Sequence, residues 1–434
     1  MITSDVFRGK RYAVLGLART GAAVVDALLA SGADVTAWDS DEVKRVTYED
    51  RVALADPLGI DLAGFDGVVV SPGVPLNRHP IAAKARDAGV AVIGDIELFA
   101  LARSSLPPHK VVGITGTNGK STTTALITHI LKTAGVPALM GGNIGLPILS
   151  QDPLPEGGVY VLELSSYQID ITFSLDCDVA VLTNITPDHL DRYDGFAGYA
   201  ASKERLFQLQ SFEHHALVAS QDEPSQAIAA RIFDRHFNEQ KGPFYQEAFA
   251  DEVTDQSAYP ALQGPHNAQN IAAATMACIL LGLGFDQIEQ GLRTYPGLPH
   301  RMERIAEKGG VLYVNDSKAT NATATAPALA AYPLIHWILG GVPKTDDLDD
   351  CAPYFDHVKA GYTIGEAGPM FARILRAAGK PVIESSTLGQ AVRDAHDAAK
   401  PGEVVMLSPA CASFDQFRDF EARGDAFRAA VGAL

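Results

Sequence analysis

Short apolar runs alternate with longer amphipathic stretches along most of the chain. Residues 11–16 and 67–70 are apolar runs with the length of buried strands, and each gives way to glycines or polar residues. Stretches with apolar residues at helical spacing follow such runs, as in residues 22–31 and 121–134. This alternation predicts an α/β protein built on parallel sheets.

Three series of this kind follow one another, so we predict three domains. The first series ends near residues 102–109, where prolines and serines are typical of a linker, and the last begins after the turn at residues 298–301. The predicted domains are a Rossmann-like N-terminal domain, a central P-loop domain with a parallel sheet, and a C-terminal Rossmann-like α/β domain. Their predicted bounds are residues 1–103, 104–299 and 300–434.

Within the last domain, the pattern predicts strands at residues 311–315, 335–340, 359–364 and 404–407 and helices at residues 322–331, 371–378, 388–398 and 414–430. Residues 221–262 are polar and weakly periodic. We predict loops and a peripheral hairpin there.

Composition excludes several classes of protein. The chain has 47% hydrophobic residues and a formal net charge of -17, which argues against binding to nucleic acids or anionic membranes. No apolar run reaches the length of a membrane span, and no basic segment followed by an apolar one opens the sequence. The four cysteines form no C-x-x-C pair and suit reduced thiols. We therefore expect a cytoplasmic protein, monomeric, that binds small molecules.

Residues 111–124 join a strand, a glycine-rich loop and a helix in the order that a phosphate site requires. The backbone amides of the loop and the helix N-terminus would face a polyphosphate. Lys120 would meet the outer phosphates, and the hydroxyl of Ser121 is the expected magnesium ligand. A strict P-loop pattern needs glycine where this chain has Ile114. The alternative is a glycine-rich turn with a chance lysine.

The loop at residues 16–21 resembles a degraded dinucleotide fingerprint, because Ala18 replaces its second glycine. Asp39 ends the next strand at the offset where an acid can meet a nucleotide hydroxyl. It could also be an ordinary acid at the end of a strand. The change at position 18 weakens a dehydrogenase hypothesis.

Polar residues also end two apolar strands of the central domain. Glu163 would be costly there unless it met a cation such as magnesium. Asp188, His189 and Asp191 follow the next strand, where a metal or catalytic role competes with a structural one. Lys203 by itself would be a solvated lysine on a helix.

Several motifs occur in the order found in the Mur ligase superfamily, which the chain resembles along its whole length. These are GTNGKST (116–122), ELSSYQ (163–168), TNITPDHLD (183–191), HNAQN (266–270), LPHR (298–301) and NDSKATN (315–321). Members of this superfamily are ATP-dependent enzymes that join an amino acid to a carboxylate. The resemblance implies ATP and two Mg²⁺ ions as cofactors.

The resemblance also implies roles for single residues. The implied catalytic residues are Lys120, Glu163, His189 and Lys203, with the amine of Lys203 carbamylated. The implied metal ligands are Ser121, Glu163, His189 and the Lys203 carbamate. The implied ATP contacts are Gly116, Thr117, Asn118, Gly119, Lys120, Ser121, Thr122, Asn267, Asn270, Arg301 and Asp316.

The stretch at residues 407–417 is similar to the C-terminal signature of the D-glutamate-adding members. It implies a ligase that adds D-glutamate to UDP-N-acetylmuramoyl-L-alanine through an acyl phosphate, in peptidoglycan precursor synthesis. The implied D-glutamate contacts are Thr320, Lys344, Ser413, Phe414 and Phe420. Those for the UDP-substrate are Gly16, Leu17, Ala18, Arg19, Thr20, Asp39, Ser71, Pro72, Gly73 and Asn143.

Two features of this implied site bear on how it works. Pro343, immediately before Lys344, departs from the more polar or glycine-rich turn that is usual in the family. The domains are expected to close on the substrates by hinge motion at linkers near Ser104 and Leu298. The remaining alternatives are a folylpolyglutamate synthase and a nucleotide sensor without turnover.

Overall fold

The computed structural model describes residues 1–434 and contains three sheets. The N-terminal sheet has the order β3-β2-β1-β4-β5, and all its neighbouring strands are parallel. Its strands are β1 (Arg11–Leu15), β2 (Asp34–Trp38), β3 (Ala53–Leu54), β4 (Gly67–Val70) and β5 (Val92–Ile93), and the helices are α1 (Arg19–Ala30), α2 (Glu42–Val46), α3 (Ile81–Asp87) and α4 (Asp95–Ala102). The predicted Rossmann-like order is thus present.

The turn between β1 and α1 depends on two glycines in close contact. Gly16 adopts a φ of +95°, in the left-handed region that favours glycine. A Cβ at Gly21 would overlap the carbonyl oxygen of Gly16 and lie 3.2 Å from the hydroxyl of Ser71. The first turn of α1 therefore packs directly on the loop that carries the predicted UDP-substrate residues.

We expect Gly21→Ala to destabilise the protein by about 3 kcal/mol or more, because the backbone of the β1–α1 turn would have to move. Urea unfolding measures this. Gly198→Ala is the matched control, since it also lies in a helix but its Cβ would meet nothing closer than 3.7 Å. It should be neutral or stabilising by up to about 1 kcal/mol. Equal unfolding midpoints for the two variants would contradict this account.

The central sheet has the order β11-β10-β9-β6-β8-β7 and is parallel throughout. Its strands are β6 (His109–Thr115), β7 (Ala138–Gly142), β8 (Gly158–Glu163), β9 (Val179–Leu182), β10 (His215–Val218) and β11 (Phe244–Glu247). The helices of this part of the chain are α5 (Lys120–Thr133), α6 (Ser166–Asp170), α7 (Gly195–Gln208), α8 (Glu223–Phe237), α9 (Pro265–Leu280) and α10 (Phe285–Thr294).

The hairpin predicted within residues 221–262 is wrong. The region contains α8, of 15 residues, followed by β11, which pairs with β10 in parallel. Asp222 caps α8 by accepting a hydrogen bond from the backbone N–H of Ser225, at 2.9 Å. This helix-capping signal was available in the sequence. The helix was missed because its many polar residues obscured the helical spacing of its apolar ones.

The N-terminal and central sheets share one hydrophobic core. Ile2, Ile96 and Phe99 belong to the same buried cluster as Ile148 and Tyr160. The rings of Phe99 and Tyr160 lie 5.0 Å apart in an edge-to-face arrangement. A continuous core resists relative motion of the two sheets, so it opposes the expected hinge near Ser104.

The C-terminal sheet has the order β12-β13-β17-β14-β15-β16, in which only β12 is antiparallel to its neighbour. Its strands are β12 (Glu303–Lys308), β13 (Val311–Asn315), β14 (Ile335–Gly340), β15 (Val358–Ile364), β16 (Val382–Ser386) and β17 (Val404–Leu407), and the helices are α11 (Ala322–Ala330), α12 (Gly368–Ala377), α13 (Leu388–Ala398) and α14 (Phe420–Gly432). Separate apolar clusters cover its two faces.

Two details of the C-terminal domain differ from the prediction. The sheet is mixed, because β12 runs antiparallel to β13. This edge strand was not predicted, because its sequence is charged. The last helix begins at Phe420 and not at residue 414, because Asp419 caps it through the backbone N–H of Ala422 at 2.7 Å. Residues 414–419 therefore form a connection after the signature stretch.

The chain divides into two compact units. The first comprises residues 1–250 and 272–292, and the second comprises residues 251–271 and 293–434. The predicted bounds of the three domains, at residues 103 and 299, stay predictions. None of the helices combines the length and the apolar character needed to cross a membrane.

Candidate active site

The phosphate loop follows β6 and ends at α5, as predicted. Gly119 precedes the helix with a φ of +84°, and no side chain caps the helix N-terminus. Gly116 has a φ of +146°, and a Cβ there would overlap the hydroxyl of Thr183. The loop thus requires glycine at both positions. Uncapped amides at the start of a 14-residue helix suit a polyphosphate.

The end of β9 holds the phosphate loop in place. The backbone N–H of Thr117 donates to the carbonyl of Asn184 at 2.8 Å, and the side chain of Asn184 accepts from the N–H of Asn118 at 2.8 Å. The hydroxyl of Thr183 donates to the carbonyl of Asn118 at 2.6 Å. The motif at residues 183–191 therefore supports the loop as well as carrying His189.

The side chain of Lys120, the residue after the phosphate loop, folds back over that loop. Its Nζ donates to the carbonyls of Gly116, at 3.0 Å, and Thr117, at 2.7 Å. The ammonium group is thus held against two carbonyls of the loop, and it adds a positive charge near the N-terminus of α5.

Glu163 ends β8 and is 3% exposed. Its Oε1 accepts a hydrogen bond from the side-chain amide of Asn143 at 2.9 Å, while its Oε2 is buried without a hydrogen-bond partner. A buried carboxylate oxygen left in this state is costly. The arrangement therefore suits a carboxylate that meets a cation, and it places Asn143 beside Glu163.

Lys203 lies on α7 and is only 1% exposed, so the solvated alternative is wrong. Its Nζ donates to the carbonyl of Gly116 at 2.7 Å and lies 4.4 Å from the ring centroid of Tyr199. Burial, together with the nearby charge of Lys120, holds the pKa of Lys203 well below its usual range. Protonation of this amine is therefore disfavoured relative to an exposed lysine.

His189 adopts a left-handed backbone conformation, with a φ of 53°. Its Nε2 lies 3.5 Å from the carboxylate of Asp188, and its ring lies 5.3 Å from that of Tyr167. Burial lowers the pKa of His189, and the positive charge of Lys120 lowers it further, against the opposing effect of Asp188. The lowered pKa favours a neutral imidazole for His189.

The predicted UDP-substrate loop is built around Asp39. This carboxylate is buried and accepts hydrogen bonds from the N–H of Leu17, at 2.7 Å, and of Asp41, at 2.9 Å. These bonds lower its pKa against the effect of burial. Asp39 thus shapes the loop, and its predicted contact with a nucleotide hydroxyl stays a prediction.

The other predicted UDP-substrate residues lie around the same turn. Ser71 donates to the carbonyl of Gly16 at 3.1 Å, which joins the ends of β1 and β4. Arg19 donates to the carbonyl of Gly145 at 2.6 Å, which brings the turn containing Asn143 next to α1. No side chain caps the N-terminus of α1, so its amides are available to an anion.

The predicted D-glutamate residues belong to the second unit and follow three adjacent strands. Thr320 follows β13, Lys344 follows β14 and Ser413 follows β17, and β17 lies between the other two strands in parallel. Carboxyl ends of parallel strands meet at one edge of a sheet, where ligands bind. The strand order therefore brings these residues to the same edge. Phe414 is 73% exposed, and the Nζ of Lys318 lies 4.0 Å above the ring of Phe420.

Arg423 holds these loops together, and the prediction did not include it. It is 1% exposed and donates to the carbonyls of Ser317, at 2.8 Å, and Cys411, at 3.0 Å, and to the hydroxyl of Ser317, at 3.0 Å. Weaker bonds reach the carbonyls of Gly340 and Ala412. Arg423 shares the buried face of α14 with Phe427 and Val431, so an arginine at that helical spacing was the available signal.

The remaining predicted ATP contacts also belong to the second unit. Asn267 is buried, donates to the carbonyl of Gln263 at 2.9 Å and accepts from the side chain of Asn270 at 3.0 Å. Arg301 is half-buried in the turn that it closes with Leu298. These positions stay predicted contacts.

Asp316 is buried at the end of β13. Its Oδ1 accepts from the N–H of Met302 at 3.1 Å and its Oδ2 from the hydroxyl of Ser408 at 2.7 Å. Burial outweighs these bonds and raises its pKa from 3.8 to about 7.

Asp316 should make the stability of the second unit depend on pH. The folded state keeps a proton that the unfolded chain releases near pH 4, so this contribution to stability is lost as pH rises towards 7. We expect the urea-unfolding midpoint to fall between about pH 4 and pH 7, and Asp316→Asn to flatten that slope. The exposed Asp346→Asn is the control. Equal slopes in Asp316→Asn and the unmodified protein would contradict the assignment.

Sequence comparison shows which protein family this chain resembles. The Mur ligase MurD-like N-terminal domain matches residues 10–94, the Mur ligase middle domain matches residues 114–278, and the Mur ligase glutamate ligase domain matches residues 300–411. The chain belongs to the Mur ligase family. The three matched domains cover most of the chain and contain most of the predicted site residues.

Individual Mur ligases match the chain over its whole length. Proteins named UDP-N-acetylmuramoylalanine–D-glutamate ligase are 64% identical in Novosphingobium aromaticivorans and 61% identical in Sphingopyxis alaskensis. Both alignments cover 100% of this chain, with 97% and 100% of the relative.

Solved structures of more distant Mur ligases share the fold. UDP-N-acetylmuramate–alanine ligase MurC of Thermotoga maritima superposes with a TM-score of 0.59 at 16% identity, over 98% of this chain and 99% of that one. The MurF ligase of Thermotoga maritima, solved in complex with ADP, gives a TM-score of 0.59 at 16% identity, over 98% of this chain and 96% of that one. The predicted three-domain α/β fold is confirmed.

Proposed function

We propose that the protein is an ATP-dependent ligase that adds D-glutamate to UDP-N-acetylmuramoyl-L-alanine during peptidoglycan synthesis. The observation that carries this function is the full-length identity of 64% to a relative with that name. The strand order that collects Thr320, Lys344 and Ser413 at one edge supports it. The folate-ligase, sensor and dehydrogenase alternatives are not favoured, because full-length relatives of 59–64% identity carry the name of the D-glutamate ligase.

ATP would bind at the phosphate loop, with residues 116–122 around its phosphates. The uncapped N-terminus of α5 and the ammonium group of Lys120 supply positive potential there. Asn267, Asn270, Arg301 and Asp316 would contact the rest of the nucleotide.

We expect two Mg²⁺ ions at the phosphate loop, as the family resemblance implies. Glu163 offers a buried carboxylate oxygen without a partner, and oxygen ligands are those that Mg²⁺ prefers. No group of three or more His, Cys, Asp or Glu side chains could hold a metal by itself. Phosphate oxygens, Ser121, His189 and a carbamate on Lys203 would therefore complete the coordination. Bound Mg²⁺ would neutralise charge on the phosphates.

Carbamylation of Lys203 agrees with the chemistry of its site. Only a neutral amine attacks carbon dioxide, and the depressed pKa of Lys203 favours that form. The product is an anion beside Lys120, which would replace the repulsion between two cations by an attraction. The buried amine is thereby converted to an oxygen ligand.

The UDP portion of the first substrate would lie at the β1–α1 turn. Residues 16–20 and the uncapped N-terminus of α1 suit its diphosphate. Asp39, residues 71–73 and Asn143 would surround the remainder. D-glutamate would bind at the edge formed by β13, β17 and β14, with Lys344 and Ser413 on its carboxylates and Phe414 and Phe420 beside it.

The chain's own residues define two steps. Lys120 would stabilise charge on the γ-phosphate while the substrate carboxylate attacks it, which yields an acyl phosphate and ADP. The neutral imidazole of His189, or a nearby acid, would accept a proton as the amine of D-glutamate attacks the acyl carbon. The phosphate then leaves and an amide remains.

Phosphate release from ATP tests this proposal. The assay contains UDP-N-acetylmuramoyl-L-alanine with D-glutamate, L-glutamate, diaminopimelate or no amino acid. Release that requires the UDP-substrate and prefers D-glutamate is expected. Preference for diaminopimelate would overturn the amino-acid assignment, and ATP binding without release in any mixture would overturn the ligase.

A further inference from the structure

Asp415 and Gln416 belong to the C-terminal signature stretch, yet the proposed function gives them no role. Both side chains bond to loops that follow other strands. The Oδ2 of Asp415 accepts a hydrogen bond from the backbone N–H of Glu366 at 2.9 Å. The side chain of Gln416 donates to the carbonyl of Ser386 at 2.8 Å. The signature is therefore tied to the ends of β15 and β16.

Three connections after β14, β15 and β17 form a closed ring. We name them the lysine loop (residues 340–344), the glycine turn (residues 365–367) and the serine loop (residues 411–416). Val342 and Ala412 exchange two backbone hydrogen bonds of 2.9 Å, which join the lysine and serine loops. The N–H of Ala367 donates to the carbonyl of Gly341 at 2.9 Å, which joins the glycine turn to the lysine loop.

Asp415 closes this ring. The first two connections are backbone hydrogen bonds, and Arg423 adds side-chain bonds between the lysine and serine loops. The link between the serine loop and the glycine turn depends on the Asp415 carboxylate. A carboxylate is a stronger acceptor for an N–H group than a neutral oxygen is. The ring is therefore sensitive to substitution at this position.

Gly365 shows how tightly the ring is packed. Its φ is +63°, and a Cβ there would overlap the Oδ2 of Asp415 and lie 3.0 Å from the Cα of Gly341. The glycine turn thus contacts both of the other loops without room for a side chain. Lys344 and Ser413 lie on the two loops whose spacing this contact sets.

We propose that Asp415 is a positioning residue for the amino-acid substrate. Its hydrogen bond holds the lysine and serine loops in register, so that Lys344 and Ser413 can meet the two carboxylates of one D-glutamate. This inference rests on the proposed function, which supplies D-glutamate as the substrate. Asp415 itself carries a negative charge that would repel a dicarboxylate, which argues for action through the loops.

Steady-state kinetics of Asp415→Ala test the inference. We expect the KM for D-glutamate to rise about tenfold or more, because a charge-assisted hydrogen bond is lost, with KM for ATP changed by less than about twofold. Asp415→Asn keeps an oxygen acceptor and should restore the KM for D-glutamate. Equal effects of alanine and asparagine would overturn the inference, since charge and not the hydrogen bond would then matter.

Glu366→Ala is the matched control. It removes a carboxylate from the same turn but keeps the backbone N–H that Asp415 binds, so the KM for D-glutamate should not change. Asp415→Ser, whose hydroxyl is too short to reach Glu366, provides a second variant if Asp415→Ala does not fold. An unmodified protein without D-glutamate-dependent phosphate release would overturn the proposed function. An active protein with unchanged KM in Asp415→Ala and Asp415→Ser would overturn only this inference.

Discussion

Lys203→Met should lower D-glutamate-dependent phosphate release by about 10³-fold or more, because the carbamate that we propose on Lys203 could not form and help to hold the metal at the phosphates. Lys203 is buried and reaches the carbonyl of Gly116. Methionine fills a similar volume without a titratable group. Phosphate release under saturating substrates is the measurement.

The same variant should be more stable than the unmodified protein in buffer free of carbon dioxide and nucleotide. The pKa of Lys203 is depressed in the folded state, so the unfolded chain binds a proton that the folded one does not. Stability of the unmodified protein should therefore rise with pH up to the ordinary lysine pKa of 10.5, and Lys203→Met should lose this rise. A pH-dependent unfolding series tests both parts.

Lys132→Met is the control for Lys203→Met, since it removes an exposed lysine from the end of α5. It should retain activity and the normal dependence of stability on pH. Retention of more than about a tenth of the activity in Lys203→Met would contradict a metal-holding role, because such ligands usually contribute far more.

Arg423→Met should lower the free energy of unfolding of the second unit by about 3–5 kcal/mol. The guanidinium group is the shared donor for the carbonyls of Ser317, Cys411 and Ala412. Methionine would leave the carbonyls of Ser317 and Cys411 without these donors, whereas the carbonyl of Ala412 keeps its hydrogen bond from the N–H of Val342. Urea unfolding of the whole protein, followed by the fluorescence of Trp337, which is buried in this unit, is the measurement.

Arg418→Met serves as the control for Arg423→Met. Arg418 is 83% exposed and pairs only with its neighbour Asp419. An exposed pair of this kind contributes less than about 1 kcal/mol. A similar small effect at Arg423 would show that water, or a shift of the three loops, can satisfy the released carbonyls.

Local signals predicted much of the fold. The strands at residues 311–315, 335–340 and 404–407 agree with β13, β14 and β17, because apolar runs of that length between turns are typical of buried parallel strands. The charged edge strand β12 and the polar helix α8 were missed. Both lie at the periphery, where burial imposes less of a pattern on the sequence.

The candidate site was predicted less evenly. The phosphate loop was recognised because its glycines, lysine and hydroxyl are contiguous, and β6 and α5 bound it as expected. The burial of Lys203 was not visible locally, since a lysine on an amphipathic helix is usually solvated. The hydrogen bond from Asn143 to Glu163 joins the ends of two strands, and no spacing in the sequence reveals it. The contact of Asn143 with the UDP-substrate stays a prediction.

The sequence by itself determined the class of fold, the family and the identity of the phosphate loop, because these depend on contiguous patterns of residues. Only the tertiary structure decided that β17 inserts between β13 and β14, and thereby that Thr320, Lys344 and Ser413 share one edge. Strand order depends on how helices pack on both faces of a sheet, and that packing joins residues far apart in the chain. The partners of Arg423 and Asp415 follow from the same strand order.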